Sequence, residues 1–137
     1  MSMIKPVPVD FEWDREMPLS QAVRAGNTIY LAGQVSLDRH GEVVGANDLA
    51  AQTRQIFENV RTVLAAAGAN LTDIARLTNY FTVDLTPENT RAYWAVRKEY
   101  FGDHRPASTG LQVKSLIYPS LLLEVDVIAV IKGSEQA

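Results

Sequence analysis

The sequence predicts a single α+β domain in which two helices cover one face of a mixed sheet. Three observations predict it. From Leu49 to Ala67 apolar residues recur at three- and four-residue steps, Ala25-Gly26-Asn27 sits between two strand-like segments, and Leu121–Ile131 is apolar on both of its faces. A chain of 137 residues, 47% hydrophobic and 21% charged, is long enough for one core and has globular proportions. We read residues 1–137 as one domain, with a core of about 18–132 and an N-terminal arm over 1–17.

The arm alternates Asp10, Glu12, Asp14 and Glu16 around Phe11 and Trp13 without a helical stripe, and reads as extended. A hairpin follows. Gln21–Arg24 and Thr28–Ala32 are its strands, and Gly26-Asn27 supplies the residues a tight turn needs. His40-Gly41 marks a second turn between Val35–Asp38 and Val43-Val44. In the first helix Leu49, Thr53, Ile56, Phe57, Val60, Val63, Leu64 and Ala67 share a face, with Asp48 as N-cap and Gly68 as stop. Ala75–Val83 alternates and carries Tyr80, Phe81 and Thr82, as a strand does. Thr86-Pro87-Glu88-Asn89 then reads as a helix start, since proline in the first turn loses no hydrogen bond. Tyr93, Val96, Arg97 and Tyr100 follow on one face until Gly102. Two strands, Ser108–Val113 and Leu121–Ile131, complete the order ββ-α-β-α-ββ.

Composition excludes several kinds of function. There is no cysteine, hence no disulfide, thiolate nucleophile or iron–sulfur cluster. The net charge is -3 and the 13 basic residues are scattered, which argues against a nucleic-acid surface. His40 and His104 share no ligand-like spacing with each other or with an acidic cluster, so no metal is expected. No glycine-rich phosphate loop or G-x-S-x-G is present, and no cofactor is implied. With no long apolar run and no secretory leader pattern at the start, a soluble cytoplasmic protein without membrane partners is the expectation.

The last strand says more. Leu121, Leu123, Val125, Val127, Ala129 and Ile131 point one way; Leu122, Ile128 and Val130 point the other. Two helices on a single sheet cover one face, so the second face needs a partner, most simply another copy of the chain. Glu124 and Asp126 lie on that second face. They are either solvated, paired with arginines of a neighbour, or functional carboxylates whose ionisation is perturbed by burial.

These residues resemble the YjgF/RidA family, also called L-PSP endoribonuclease-like. The resemblance runs from about Pro18 to Lys132. It is carried by Ser20-Gln21-Ala22-Val23-Arg24-Ala25-Gly26-Asn27-Thr28-Ile29-Tyr30, Ala32-Gly33-Gln34, Gln52-Thr53, Glu58-Asn59-Val60, Leu64–Gly68, Arg105-Pro106-Ala107-Ser108-Thr109 and Leu123–Val130. It implies a chorismate-mutase-like fold and a homotrimer whose sheets face a common centre, with small-molecule clefts between subunits. It also implies hydrolysis of an enamine or imine to a carbonyl compound and ammonia. Carried over residue by residue, it makes Glu124 the catalytic carboxylate and places Leu19, Ala32, Gly33, Gln34, Trp94, Arg105, Ser108 and Thr109 at the substrate.

The departures are informative. Deaminating members hold the substrate carboxylate with an arginine in Pro-Ala-Arg-Ser, and this chain has Ser108 there. Arg105 is nearby, but a strand position of opposite parity to 108 would point to the other face. Leu19, Ala32 and Trp94 replace a tyrosine, a serine and an asparagine, so the ligand is expected to be less polar, or larger and aromatic. Trp94 otherwise reads as a surface or interface aromatic. Two functions follow from the resemblance: a deaminase with altered substrate preference, or a non-catalytic ligand-binding or regulatory trimer. Ribonuclease action rests on the family's other name and conflicts with the acidic charge.

Overall fold

The computed structural model describes residues 2–133. Six strands form one sheet: β1 (Ile4–Pro6), β2 (Ala22–Ala25), β3 (Thr28–Val35), β4 (Ile74–Phe81), β5 (Ala107–Gln112) and β6 (Leu123–Val130). Their spatial order is β1-β2-β3-β6-β4-β5, antiparallel except for β4 beside β5. Helices α1 (Leu49–Ala66) and α2 (Pro87–Phe101) pack on one face of this mixed sheet and on each other.

Local chemistry accounts for the boundaries. Asp48 accepts a hydrogen bond from the Ala51 amide and starts α1; Thr86 accepts one from Asn89 and starts α2 at Pro87. In the β2–β3 turn Gly26 takes φ +60°, whereas Asn27 does not adopt a positive φ. One glycine is enough for a two-residue turn of the II′ kind. Phe57, Ile56, Val60, Val63 and Leu64 of α1 are wholly buried against Leu123, Val125, Val127 and Ala129 of β6 and Ile29 of β3.

The N-terminal segment departs from a plain extended arm. Ile4–Pro6 pairs with β2, Glu12–Asp14 forms a 3-10 turn and Phe11 is buried in the core. Ile4-Lys5-Pro6 is too short to show an alternation of its own, and the ladder it joins uses backbone groups only. Among the described residues, no helix is long and apolar enough to cross a membrane.

The sheet's second face is uncovered within one chain. Tyr30, Leu111 and Val130 are exposed on it, in line with a last strand apolar on both sides. This face carries Glu124, while Ser108 lies on the helix side.

Candidate functional site

Glu124 stands near the start of β6, opposite Val35 and Tyr80 on its two neighbouring strands. Beside it β3 has an irregularity in register between Leu31 and Gln34, and Gly33 lies within it. A Cβ on Gly33 would fall 2.7 Å from Glu124 Cδ and 2.9 Å from its Cγ, so the carboxyl group occupies the space a side chain would fill. Glycine is needed here for close approach, since its φ is not positive.

The cavity around Glu124 is about 230 Å³ and is lined chiefly by Leu19, Ala32, Gly33, Ile117 and Tyr118. Two buried amides hold its walls. Asn59 donates to the Val35 and Leu37 carbonyls, fixing the end of β3. Gln52 donates to the Gly45 and Ser120 carbonyls and accepts from the Leu122 amide, fixing the segment that carries Tyr118. Glu124 is half-buried and forms no ion pair among the described residues. Burial, and secondly the charge of Asp126, push its carboxyl above the ordinary glutamate value. Asp126 accepts a hydrogen bond of 2.9 Å from Tyr80 Oη. Among the described residues, no arginine pairs with either carboxylate.

Ser108 belongs to a different region. It lies on the edge strand β5 facing α2, where Ser108 Oγ accepts from Arg97 Nη1 at 2.7 Å and from Asn79 Nδ2 at 3.2 Å. Tyr93 Oη accepts from Arg97 at 3.2 Å and donates to Asn79 Oδ1, closing a buried polar network. Burial pushes the Tyr93 phenol up to about 12, so it remains a donor. Two cavities meet at Ser108 and Trp94. One, about 280 Å³, is walled by Asn79, Phe81, Leu85, Thr90 and Tyr93; the other, about 410 Å³, by Arg97, Lys98, Phe101, His104 and Arg105.

The residues proposed from sequence therefore divide. Leu19, Ala32, Gly33 and Glu124 share one cavity. Trp94, Arg105 and Ser108 share another. Arg105 precedes β5, so strand parity does not govern it, and it lines the same cavity as Ser108 instead of turning to the opposite face. Gln34 points inward, donating to Gln21 Oε1 at 2.7 Å and to the Ala32 carbonyl. Thr109 projects from the other side of β5, where its hydroxyl accepts from Arg76 at 2.6 Å. These last two side chains line neither cavity.

Comparison with known proteins agrees with this architecture. The family model described as Endoribonuclease L-PSP matches residues 12–131. A RutC family protein of Pyrococcus horikoshii is 38% identical over 82% of this chain and 86% of its own length. The chain belongs to the YjgF/RidA family. The crystal structure of the YjgF gene product of E. coli superposes with a TM-score of 0.82 at 30% identity, covering 93% of this chain and 99% of that one. A 3-aminoacrylate deaminase RutC of Acinetobacter baylyi is 35% identical over 82% of this chain and 86% of its own length.

Sequence reasoning missed Arg97 as a functional candidate within this family framework. The signal was present: a charged residue on the apolar stripe of Tyr93, Val96 and Tyr100, which belongs in a core only if something there accepts its hydrogen bonds.

Proposed function

We propose that this protein hydrolyses a small enamine or imine to a carbonyl compound and ammonia, with Glu124 as general acid and base. The observation that carries this reading is Glu124 itself. It is a half-buried carboxyl without a cation partner among the described residues, set in a largely apolar cavity and lying over a glycine. Raising a carboxyl above the ordinary glutamate value makes it a better proton carrier than an exposed glutamate. The deaminase named among the relatives supports the same reaction class.

The steps balance without a cofactor. The carboxylate takes a proton from water as the oxygen attacks the imine carbon, and the C=N π electrons move to nitrogen, which takes that same proton from the carboxyl to give a neutral carbinolamine. The carboxylate then removes the hydroxyl proton and passes it to nitrogen as the C=O bond forms and the C–N bond breaks, and ammonia leaves. An enamine enters the same route after protonation at carbon.

Glu124 and Ser108 stand on opposite faces of the sheet within one chain. The proposed site is accordingly a cleft between copies, in which the Glu124 cavity of one subunit meets the Ser108–Trp94 cavity of the next. The exposed apolar face favours such association, and the family resemblance suggests a trimer. Because a hydroxyl stands where deaminating members have a guanidinium, substrate preference should differ from theirs.

The test is keto-acid formation in the presence of a lyase that releases 2-aminoacrylate, with an uncharged aldimine as second substrate. Acceleration of either, lost in Glu124→Gln, supports the proposal. Equal acceleration by Glu124→Gln, or none with either substrate, refutes it.

A further inference from the structure

Arg97 lies behind Ser108, 6% exposed, and forms no salt bridge with a carboxylate among the described residues. Its guanidinium carbon stands 4.9 Å from the centre of the Trp94 ring and 5.4 Å from that of Phe101. Its hydrogen bonds, to Ser108 Oγ and Tyr93 Oη, both leave from Nη1. Aromatic faces and two neutral acceptors compensate only part of the desolvation of a cation. Arg97 also lines the cavity shared with Lys98 and Arg105, and no acidic residue is among the described residues that wall it.

Ser108 completes the pattern. Its oxygen already accepts from Arg97 and from Asn79, which uses both lone pairs, so its hydroxyl hydrogen is left to donate outward. Guanidinium and hydroxyl together offer charge-assisted donors on one side of a cavity walled by the flat Trp94 ring. The cavity also lies beside the C-terminal end of α2 at Phe101 and Gly102, where the helix dipole is negative. That end opposes anions in general and a dianion more than a monoanion, whereas the planar guanidinium fork with a hydroxyl beside it matches the geometry of a carboxylate.

We propose that Arg97, with Ser108 as second donor, binds the carboxylate of the substrate. The guanidinium that other members carry at the position of Ser108 is thus supplied here from α2, and Arg97 is a specificity-determining residue. This rests on the deaminase reading for the identity of the substrate, an imino acid, but not for the existence of the anion site. It replaces the expectation that Ser108 turns substrate preference toward a less polar or larger aromatic ligand.

The experiment titrates the intact protein calorimetrically with 2-oxobutanoate, a keto-acid product, and with inorganic phosphate, and measures KM for an imino acid and for an uncharged aldimine. Arg97→Gln should weaken 2-oxobutanoate roughly 10- to 100-fold and raise KM for the imino acid alike, with the aldimine unchanged. Returning the guanidinium to β5, in Arg97→Gln with Ser108→Arg, should restore binding to within about tenfold. If Arg97→Gln does not fold, Ser108→Ala serves, and must still weaken 2-oxobutanoate severalfold. Unchanged affinity and KM in the Arg97 or Ser108 variant overturn the proposal while leaving Glu124-dependent hydrolysis standing, and phosphate bound as tightly as 2-oxobutanoate also overturns it. Arg97-dependent binding without hydrolysis of either substrate refutes the deaminase reading and upholds the anion site.

Discussion

The Glu124 cavity and the Arg97 cavity are opposites. Among the described residues, one holds a carboxyl group without a cation and the other holds guanidinium and ammonium groups without an acid. Within a chain the sheet keeps them on separate faces, so the charges do not quench each other as a buried ion pair would. A carboxyl left unpaired is raised and ready to exchange a proton, and a guanidinium left unpaired is ready to take an anion. The separation leaves each half unquenched, and the proposed function has a neighbouring copy bring the two together.

The largest predicted effect comes from preventing that joining. Val130 is exposed on the open face, and Val130→Asp puts a charge into the surface proposed to meet another copy. Sedimentation should show a shift to monomer, and hydrolysis should fall to the background rate while the folded monomer persists. Full activity in a monomer would end the comparison, because one chain does not bring Glu124 and Ser108 together.

Next in size is Glu124→Gln, which keeps shape and removes the proton carrier. We expect turnover to fall roughly 10²- to 10⁴-fold with 2-oxobutanoate binding intact, measured on the same samples. A smaller loss is expected from Gly33→Ala. The added methyl claims the space of the Glu124 carboxyl, and a displaced carboxyl should cut turnover by roughly 10- to 100-fold without altering the anion site. Retained turnover in Gly33→Ala would mean that the close approach of Glu124 to β3 is packing alone.

Much of this architecture is legible in the residues. Asp48 and Thr86 announce both helices, because a capping side chain and a helical stripe are local properties. The two-faced β6 announces an uncovered sheet. What stayed hidden depends on neighbours distant in sequence. Parity misplaced Arg105, since the strand begins only at Ala107. The role of Gly33 needs the register of β6 against β3. Gln34, adjacent to it, turns inward to Gln21, which no local pattern specifies. Arg97 meets Ser108 only because α2 packs against β5, and a single sequence shows the charge on the stripe without its acceptor.

The smallest effect is on stability and follows from the sign of the shift at Glu124. A carboxyl raised in the folded state above its unfolded value binds more protons folded than unfolded, so its contribution to stability falls as pH rises. Above the raised value the ionised group opposes folding; below the ordinary value of 4.5 it is protonated in both states and the penalty is gone. Glu124→Gln should therefore melt at a higher temperature than the parent at neutral pH, with the difference shrinking to zero as pH falls through that interval. Arg97→Gln should show no such convergence over the same range, since a guanidinium does not titrate there. Thermal unfolding at one fixed protein concentration measures both, because association adds its own stabilisation by mass action. If the parent were the more stable at neutral pH, Glu124 would have a cation partner in the assembled protein, and the contrast between an unpaired carboxyl and an unpaired guanidinium would not survive assembly.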